Sequence, residues 1–231
     1  MGRERRRLVF MTWIKICGTT NSEDALTAIE AGADAVGFVF YGKSPRKIAV
    51  EAAREIIEKL PAGVEKVGVF VNEREDSICA IADGAGLTAV QMHGHDEDPH
   101  VADLVLGRRP LLKVLVAISM HHRSPVGQAS MWDPDVVHAF LLDSGNPSKH
   151  GGTGEVFDWR TSVQTVDEIR RFGQLVLAGG LMPGNVAEAI GILKPWGVDV
   201  ASGVEARPGK KDPEKVRAFV KAVRDADRKT S

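Results

Sequence analysis

Short apolar runs recur along the chain, each followed by a turn and then by a stretch with helical spacing. Their Val, Ile, Leu and Phe residues are nearly continuous and do not alternate with polar residues, which is typical of strands buried on both faces. The pattern predicts eight parallel strands separated by helices. These strands are Trp13–Cys17, Ala35–Phe40, Lys66–Val71, Ala89–His93, Leu111–Ala117, Ala139–Asp143, Gln174–Ala178 and Val198–Ala201.

The stretches between the runs place apolar residues at i, i+3 and i+4, the spacing of a helix with one buried face. Ser22–Ala31 and Val50–Leu60 show this spacing most clearly. Asn21 is a suitable N-cap for the first of these helices. Pro213, directly after Asp212, is predicted to open the last helix, because proline is favoured at the first helical position.

The fifth strand–helix unit has the weakest pattern. Its connecting stretch, Ser119–Ser130, is polar and contains Pro125 and Gly127, both of which interrupt helices. The sequence therefore predicts a long loop here, followed by a short helix near Pro134–His138.

The number of units indicates the fold class. The chain has 231 residues, the length of one large domain or two small ones, and no linker divides it. Eight strand–helix units in one domain predict an α/β protein with a single (β/α)8 TIM barrel over residues 11–231. The alternative, a doubly wound open sheet, usually has fewer strands and a Gly-x-Gly-x-x-Gly turn after the first one, and neither is present. Residues 1–10, basic and directly before Met11, are predicted to be a disordered extension.

Composition excludes several classes of function. Lys and Arg number 30 against 31 Asp and Glu, and the net charge of −1 argues against binding to nucleic acid or to a membrane surface. The apolar runs are far shorter than the roughly 20 residues that a membrane-spanning helix needs. Two cysteines, Cys17 and Cys79, do not make a disulfide framework, so a reduced, cytoplasmic setting is expected.

In a barrel of this kind, functional groups come from the carboxyl ends of the strands and from the loops that follow. Gly179 and Gly180 follow the seventh strand, and Ser202 and Gly203 follow the eighth. These loops are neighbours in a closed barrel, and backbone N–H groups there can bind an anion. Although each glycine alone is a weak signal, the two pairs together predict a phosphate site.

Cys17 and Asp143 end the first and sixth strands. Alone, such a cysteine is usually a small buried apolar residue, and such an aspartate is often a cap. Together they are candidates for a thiolate base and a carboxylic acid on opposite walls of one pocket. Lys15 shares the strand face of Cys17 and is a candidate to support a thiolate. Cys79, in contrast, lies in a helical pattern and is predicted to be a packing residue.

Three further positions are candidates for ligand binding. Arg46 lies in a Ser-Pro-Arg turn, where a held guanidinium suits two-bonded capture of a carboxylate; a solvated surface arginine is the alternative. His93 ends the fourth strand and either faces the ligand or has a structural role. Gly152, in the glycine-rich loop Gly151–Gly154, is a candidate to close over the ligand. No metal site is expected, because His121 and His122 have no partner at ligand spacing.

Taken together, the segments resemble the phosphoribosylanthranilate isomerase family of tryptophan biosynthesis. The resemblance runs from about residue 13 to residue 224, and the ordered set of motifs is specific although no single one is decisive. The matching motifs are Lys15–Thr20, Gly32–Phe40, Ser44–Arg46, Val67–Asn72, Gln91–Gly94, Leu141–Ser144, Gly151–Gly154, Leu177–Leu181, Val198–Glu205 and Pro208–Asp212.

The resemblance implies an Amadori rearrangement of N-(5-phosphoribosyl)anthranilate. Asp143 would be the general acid that opens the ribose ring, and Cys17 the general base that removes the C2 proton. Arg46 would hold the anthranilate carboxylate, and the loops after strands seven and eight would hold the phosphate. The redox change is internal to the substrate, so no cofactor is implied. The partner is a phosphorylated small molecule, and the assembly a monomer or homodimer.

Two other classes remain as alternatives. One is another phosphate-binding barrel isomerase or epimerase. A ribulose-phosphate epimerase would need a metal-binding set of histidines and aspartates, whereas the chain has chiefly His93 and Asp143, and the related histidine-pathway isomerase would have an aspartate where Cys17 stands. The other alternative is a non-catalytic barrel that only binds a phosphorylated ligand, which gives no reason for Cys17 and Asp143 to coexist.

Overall fold

The eight predicted strands form a closed parallel barrel. The structure is a computed structural model that describes residues 11–94, 99–144 and 156–230. Each strand pairs with the next in sequence order, and the eighth pairs with the first, so the predicted (β/α)8 barrel is confirmed. The strands are β1 Trp13–Ile16, β2 Ala35–Val39, β3 Glu65–Val71, β4 Ala89–His93, β5 Lys113–Ser119, β6 Val137–Asp143, β7 Gln174–Leu177 and β8 Gly197–Val200. Residues 1–10 and the loop containing Gly152 lie outside the described residues.

Helices alternate with the strands. They are α1 Ser22–Ala31, α2 Val50–Ile57, α3 Glu75–Ala85, α4 Pro99–Arg108, α5 Pro125–Ser130, α6 Val163–Ile169, α7 Val186–Leu193 and α8 Pro213–Thr230. The predicted bounds of α1 and the predicted start of α8 are confirmed, and the Asn21 side chain accepts a hydrogen bond from the Asp24 N–H at the start of α1. None of the helices in the described ranges is both long and apolar enough to cross a membrane.

The prediction for the fifth unit is wrong. The helix is Pro125–Ser130, inside the stretch expected to be a loop, and residues 134–136 form a turn before β6. Ser124 caps this helix by accepting a hydrogen bond from the Gly127 N–H, and Pro125 occupies its first turn, where a missing N–H costs nothing. Ser124 and Pro125 therefore start a helix in a stretch where Pro125 was expected to interrupt one.

A short hairpin after the last barrel strand was not predicted. Ser202–Val204 form a 3₁₀ turn, and Glu205–Arg207 (β9) pairs antiparallel with Lys210–Lys211 (β10). This hairpin leads directly into α8. It lies at the same end of the barrel as Cys17, because Lys211 of the hairpin donates a hydrogen bond to the Cys17 carbonyl.

The side chains of β1, and of Cys17 directly after it, alternate between the barrel interior and the layer between the strands and the helices. Trp13, Lys15 and Cys17 point into the barrel, whereas Ile14 and Ile16 are fully buried in the layer between the strands and the helices. Burial on both faces is what the continuous apolar runs predicted. The inward face carries the polar groups that build the site.

A group of polar contacts, called the clasp below, joins the last helix to the residues just before β1 and β2. Its members are Thr12, Asp34, Arg224 and Asp227. The N–H and hydroxyl of Thr12, just before β1, donate to the Asp227 carboxylate of α8 at 3.2 and 2.5 Å. Arg224, one turn earlier on α8, donates to the Thr12 carbonyl and to the Asp34 carboxylate. The clasp thus holds the last helix across the seam where β8 meets β1.

Replacement of Cys79 by serine is expected to lower the free energy of unfolding without changing kcat. Cys79 is buried in the apolar core on α3, and a hydroxyl without a partner costs about 1–3 kcal/mol there. Urea unfolding followed by circular dichroism measures the change. Ala80→Ser, at the exposed neighbouring position of the same helix, is the control and should stay within about 0.5 kcal/mol of the parent. An unchanged unfolding midpoint for Cys79→Ser would contradict its role in packing.

Candidate active site

One pocket at the carboxyl ends of the strands collects most of the predicted site residues. Its walls come from β1, β4, β6 and the loops after β2, β7 and β8. Predicted residues that line it are Cys17, Arg46, His93, Asp143, Gly179, Gly180 and Ser202. These seven residues therefore lie together at one end of the barrel, and their roles stay predictions.

The backbone after β7 passes very close to Asp143. Gly179 has a φ of +76°, in the left-handed region, and a Cβ atom added there would lie 2.6 Å from Asp143 Oδ1 and 2.5 Å from the backbone nitrogen of Ser144. Only glycine satisfies both constraints at once. Gly179 therefore lets the loop after β7 pack against Asp143, the candidate acid. Gly179 and Gly180 also border the pocket.

The loops after β7 and β8 are held in fixed positions beside each other. Asn185 accepts a hydrogen bond from the Met182 N–H at 2.8 Å and donates to the Gly180 carbonyl at 3.0 Å. Gly203 faces the Leu181 carbonyl so closely that an added Cβ would overlap it, which packs the two loops together. Gly180 and Ser202 line the pocket from these loops, whereas Gly203, which was also predicted to bind substrate, is not among the residues that line it.

Arg46 is held by Glu205, a partner that was not predicted from the sequence. Ser44 accepts a hydrogen bond from the Arg46 N–H at 3.1 Å, as expected for a structured Ser-Pro-Arg turn. The guanidinium Nε and Nη2 donate to the two carboxylate oxygens of Glu205, each at 2.8 Å. Hydrogen bonding to Glu205 raises the pKa of Arg46. The two-bonded fork assigned to a substrate carboxylate is thus engaged by Glu205, while Arg46 still borders the pocket.

Lys211 fixes the position of Glu205 by a buried hydrogen bond. Its buried ammonium donates to the carbonyls of Cys17 and Ala201 and to Glu205 Oε1. Burial opposes ionisation of Glu205, but the hydrogen bonds from Arg46 and the charge of Lys211 outweigh burial, so the pKa of Glu205 lies below its ordinary value. The carboxylate therefore stays charged and connects the β10 hairpin to Arg46.

Cys17 lies above a buried polar cluster inside the barrel. The cysteine is 7% exposed, and burial raises the pKa of its thiol, whereas the positive charge of Lys15 acts against that rise. The Lys15 ammonium, which is fully buried, donates to Gln91 Oε1 and Asp199 Oδ1 at 2.9 Å each. Neither Asp199 nor Gln91 was predicted to have a role. Asp199 itself could have indicated a buried ion pair, because a charged residue inside an apolar strand must be paired.

His93 borders the same pocket from the end of β4. His121 and His122 are exposed, as expected. Across residues 11–94, 99–144 and 156–230, no three His, Cys, Asp or Glu side chains are grouped so that they could hold a metal ion. The expectation that the reaction needs no metal or cofactor stays a prediction.

The fold and the pocket define the class of this protein: a (β/α)8 barrel whose site lies at the carboxyl ends of its strands, with a thiol and a carboxylic acid bordering one cavity. The profile of the family described as N-(5'-phosphoribosyl)anthranilate (PRA) isomerase matches residues 14–222. The chain belongs to this family.

Individual relatives agree with the family match. The N-(5'-phosphoribosyl)anthranilate isomerase of Geobacter sp. (strain M21) is 51% identical over 211 residues, which cover 91% of this chain and 97% of that protein. A crystal structure of phosphoribosyl anthranilate isomerase in complex with reduced 1-(o-carboxyphenylamino)-1-deoxyribulose 5-phosphate has a TM-score of 0.80 and 41% identity, covering 93% of this chain and all of that one. Monomers generated from the dimeric enzyme of Thermotoga maritima have a TM-score of 0.79, 41% identity and the same coverage.

Proposed function

We propose that this chain isomerises N-(5-phosphoribosyl)anthranilate to 1-(2-carboxyphenylamino)-1-deoxy-D-ribulose 5-phosphate, an Amadori rearrangement in tryptophan biosynthesis. The observation that carries the proposal is that Cys17 and Asp143 border one pocket whose third wall is formed by the loops after β7 and β8. Membership of the family supports the reaction. The complex of a relative with the reduced product supports the chemical class of the ligand.

In the first step Asp143 acts as general acid. Its carboxyl proton passes to the ribose ring oxygen while the bond between that oxygen and C1 breaks. The nitrogen lone pair forms a double bond to C1, which gives an open-chain iminium ion and leaves Asp143 as a carboxylate. General acid catalysis is suited to this step because an alkoxide is a poor leaving group without a proton.

In the second step Cys17 acts as general base. Its thiolate removes the proton from C2, and the electrons of that C–H bond form a double bond between C1 and C2, which neutralises the iminium nitrogen. The resulting enolamine loses its hydroxyl proton and gains a proton at C1, so C2 becomes a ketone. C2 is oxidised and C1 is reduced, and the electrons balance within the substrate.

The remaining pocket residues bind the substrate. Backbone N–H groups near Gly179, Gly180 and Ser202 suit the phosphate, because unpaired backbone donors at strand ends and helix starts favour anions. Arg46 suits the anthranilate carboxylate through its charge, with its orientation set by Glu205. His93 borders the space between these two anchors.

The direct test follows the fluorescence of N-(5-phosphoribosyl)anthranilate generated in the assay. Loss of the signal on addition of the purified chain, with formation of the carboxyphenylamino product, is the expected result. A chain that binds the phosphorylated ligand and leaves the signal unchanged would support a non-catalytic barrel. Turnover of a different phosphorylated aldose, with none of this substrate, would favour another barrel isomerase.

Replacement of Arg46 by alanine is expected to lower kcat/KM. A hydrogen bond to a charged group contributes about 1.5–3 kcal/mol, and each 1.4 kcal/mol is a factor of ten, so the loss should be about ten- to a hundredfold. Arg46→Lys should be nearly as damaging, because an ammonium cannot reproduce the fork with Glu205. Initial rates at low substrate concentration measure the effect.

The control for Arg46 is Arg54→Ala, which breaks an exposed ion pair between Arg54 on α2 and Glu58 directly after it, and which should leave kcat/KM unchanged. A substrate analogue made from aniline lacks the carboxylate, and the loss caused by Arg46→Ala should shrink with it. Equal losses for both substrates would show that Arg46 acts only on the loop structure, and the carboxylate role would be dropped.

The compartment proposed is the cytoplasm, because the proposed base requires a reduced thiol and both cysteines are free. The proposed assembly is a monomer or a homodimer. The dimeric enzyme of Thermotoga maritima, a relative with the same barrel, supports the second possibility.

A further inference from the structure

Lys15 occupies an unusual place for a lysine. Its side chain is fully buried inside the barrel, two residues before Cys17 and on the same face of β1. The ammonium has three protons to donate. Gln91 on β4 and Asp199 on β8 each accept one at 2.9 Å. The positive charge of the same ammonium also acts on Cys17.

The neighbouring strand leaves space for the side chains of Lys15 and Cys17 to lie side by side. Gly37 lies on β2, which pairs with β1, and a Cβ atom added there would lie 2.8 Å from Cys17 Sγ and 3.0 Å from Lys15 Cε. Both distances are shorter than ordinary van der Waals contacts of real side chains. The two side chains therefore meet in a gap that exists because residue 37 has no side chain.

We propose that Lys15 is a positioning residue for the general base: its ammonium, fixed by Gln91 and Asp199, holds the Cys17 sulfur in place and stabilises it as a thiolate. The inference rests on the proposed function, because it assigns Lys15 to the base of that reaction. Lys15 itself lies beneath Cys17 and makes its contacts with the protein, so its contribution passes through the sulfur.

The electrostatics of the cluster agree with this geometry. Burial raises the pKa of Cys17, and the attraction of Lys15 is the largest influence in the opposite direction, exceeding the repulsion from Asp199. Burial also opposes the charge of Lys15, but the attractions of Asp199 and Cys17 together outweigh burial and keep the pKa of Lys15 above its ordinary value. The lysine therefore stays charged while the sulfur titrates. Among the described residues, the other titratable or charged groups near Cys17 or bordering its pocket are Lys211, Arg46, Tyr41, His93 and Asp143.

The test measures the pH dependence of Cys17 alkylation by iodoacetamide in the full chain, with the modified peptides quantified by mass spectrometry. Lys15→Met removes the attraction and is expected to raise the midpoint by about one pH unit or more, since a nearby opposite charge shifts a pKa by about one to three units. Asp199→Asn removes the repulsion and is expected to lower the midpoint. Cys79, buried in α3, is the internal control, and its profile should not move.

Opposite directions for the two variants distinguish this role from a structural one, because a disturbed fold would change both profiles in the same way. If Lys15→Met does not fold, the double variant Lys15→Met/Asp199→Asn removes both charges together, and its midpoint is expected to lie above that of the parent. Unchanged midpoints, or shifts in one direction for both single variants, would overturn the proposal. Since alkylation needs no substrate, this result is independent of the isomerase assay.

Discussion

Replacement of Cys17 by serine is expected to lower kcat by a factor of about 100 to 10,000, the usual contribution of a positioned acid or base. A hydroxyl of nearly the same size fits the site, so the barrel should fold unchanged. It is nevertheless a far weaker base at neutral pH, because a hydroxyl does not ionise where a thiol does. Single-turnover fluorescence decay of the substrate measures the chemical step.

The matched control is Cys79→Ser, the same chemical change at the other cysteine, which should alter stability and leave kcat alone. Circular dichroism spectra that overlay those of the parent would exclude unfolding as the cause of lost activity. A kcat for Cys17→Ser within about threefold of the parent would remove Cys17 from the mechanism, because the chemical step would then not depend on the thiolate.

Replacement of Asp143 by asparagine is expected to lower kcat by a similar factor of about 100 to 10,000. The amide has nearly the shape of the acid and preserves the close approach of Gly179, but it has no carboxyl proton to give to the ring oxygen. Affinity for a reduced product analogue, measured by calorimetry, should change little because the proposed carboxylate and phosphate contacts lie elsewhere in the pocket.

Asp135→Asn is a suitable control for Asp143→Asn, because Asp135 is exposed at the opposite end of the barrel, just before β6 begins. Its kcat should equal that of the parent. If Asp143→Asn keeps kcat and raises only KM, Asp143 is a binding residue and the acid must be sought elsewhere in the pocket.

The barrel could be predicted because its physical cause is local. A strand buried on both faces must be apolar throughout, and eight such runs are visible without any knowledge of their partners. The ends of the strands were predicted less accurately than the strands themselves. Leu111 was placed in the fifth strand, yet β5 begins at Lys113 and the Leu111 side chain is 94% exposed. Apolar character does not require burial, so an exposed leucine in a turn extends an apolar run falsely.

The site could be predicted only in part. That Cys17 and Asp143 border one pocket could be predicted because each lies at the end of a strand, and strand ends define the functional face of this fold. Glu205 was missed as the partner of Arg46 because the two are 159 positions apart and meet only through the hairpin after β8. Lys211 was missed for the same reason, since its contacts with Cys17, Ala201 and Glu205 exist only when the barrel is closed.

The clasp between Thr12 and Asp227 bears on how the protein is made. Cys17 leaves the ribosome before Asp199 and Ser202, which lie on the other side of the β1–β8 seam. The helix that closes the seam, α8, follows all three residues in the chain. A nascent chain can therefore pair its first seven strands and still have no complete pocket, because the proposed base obtains its second wall only after β8 has been made.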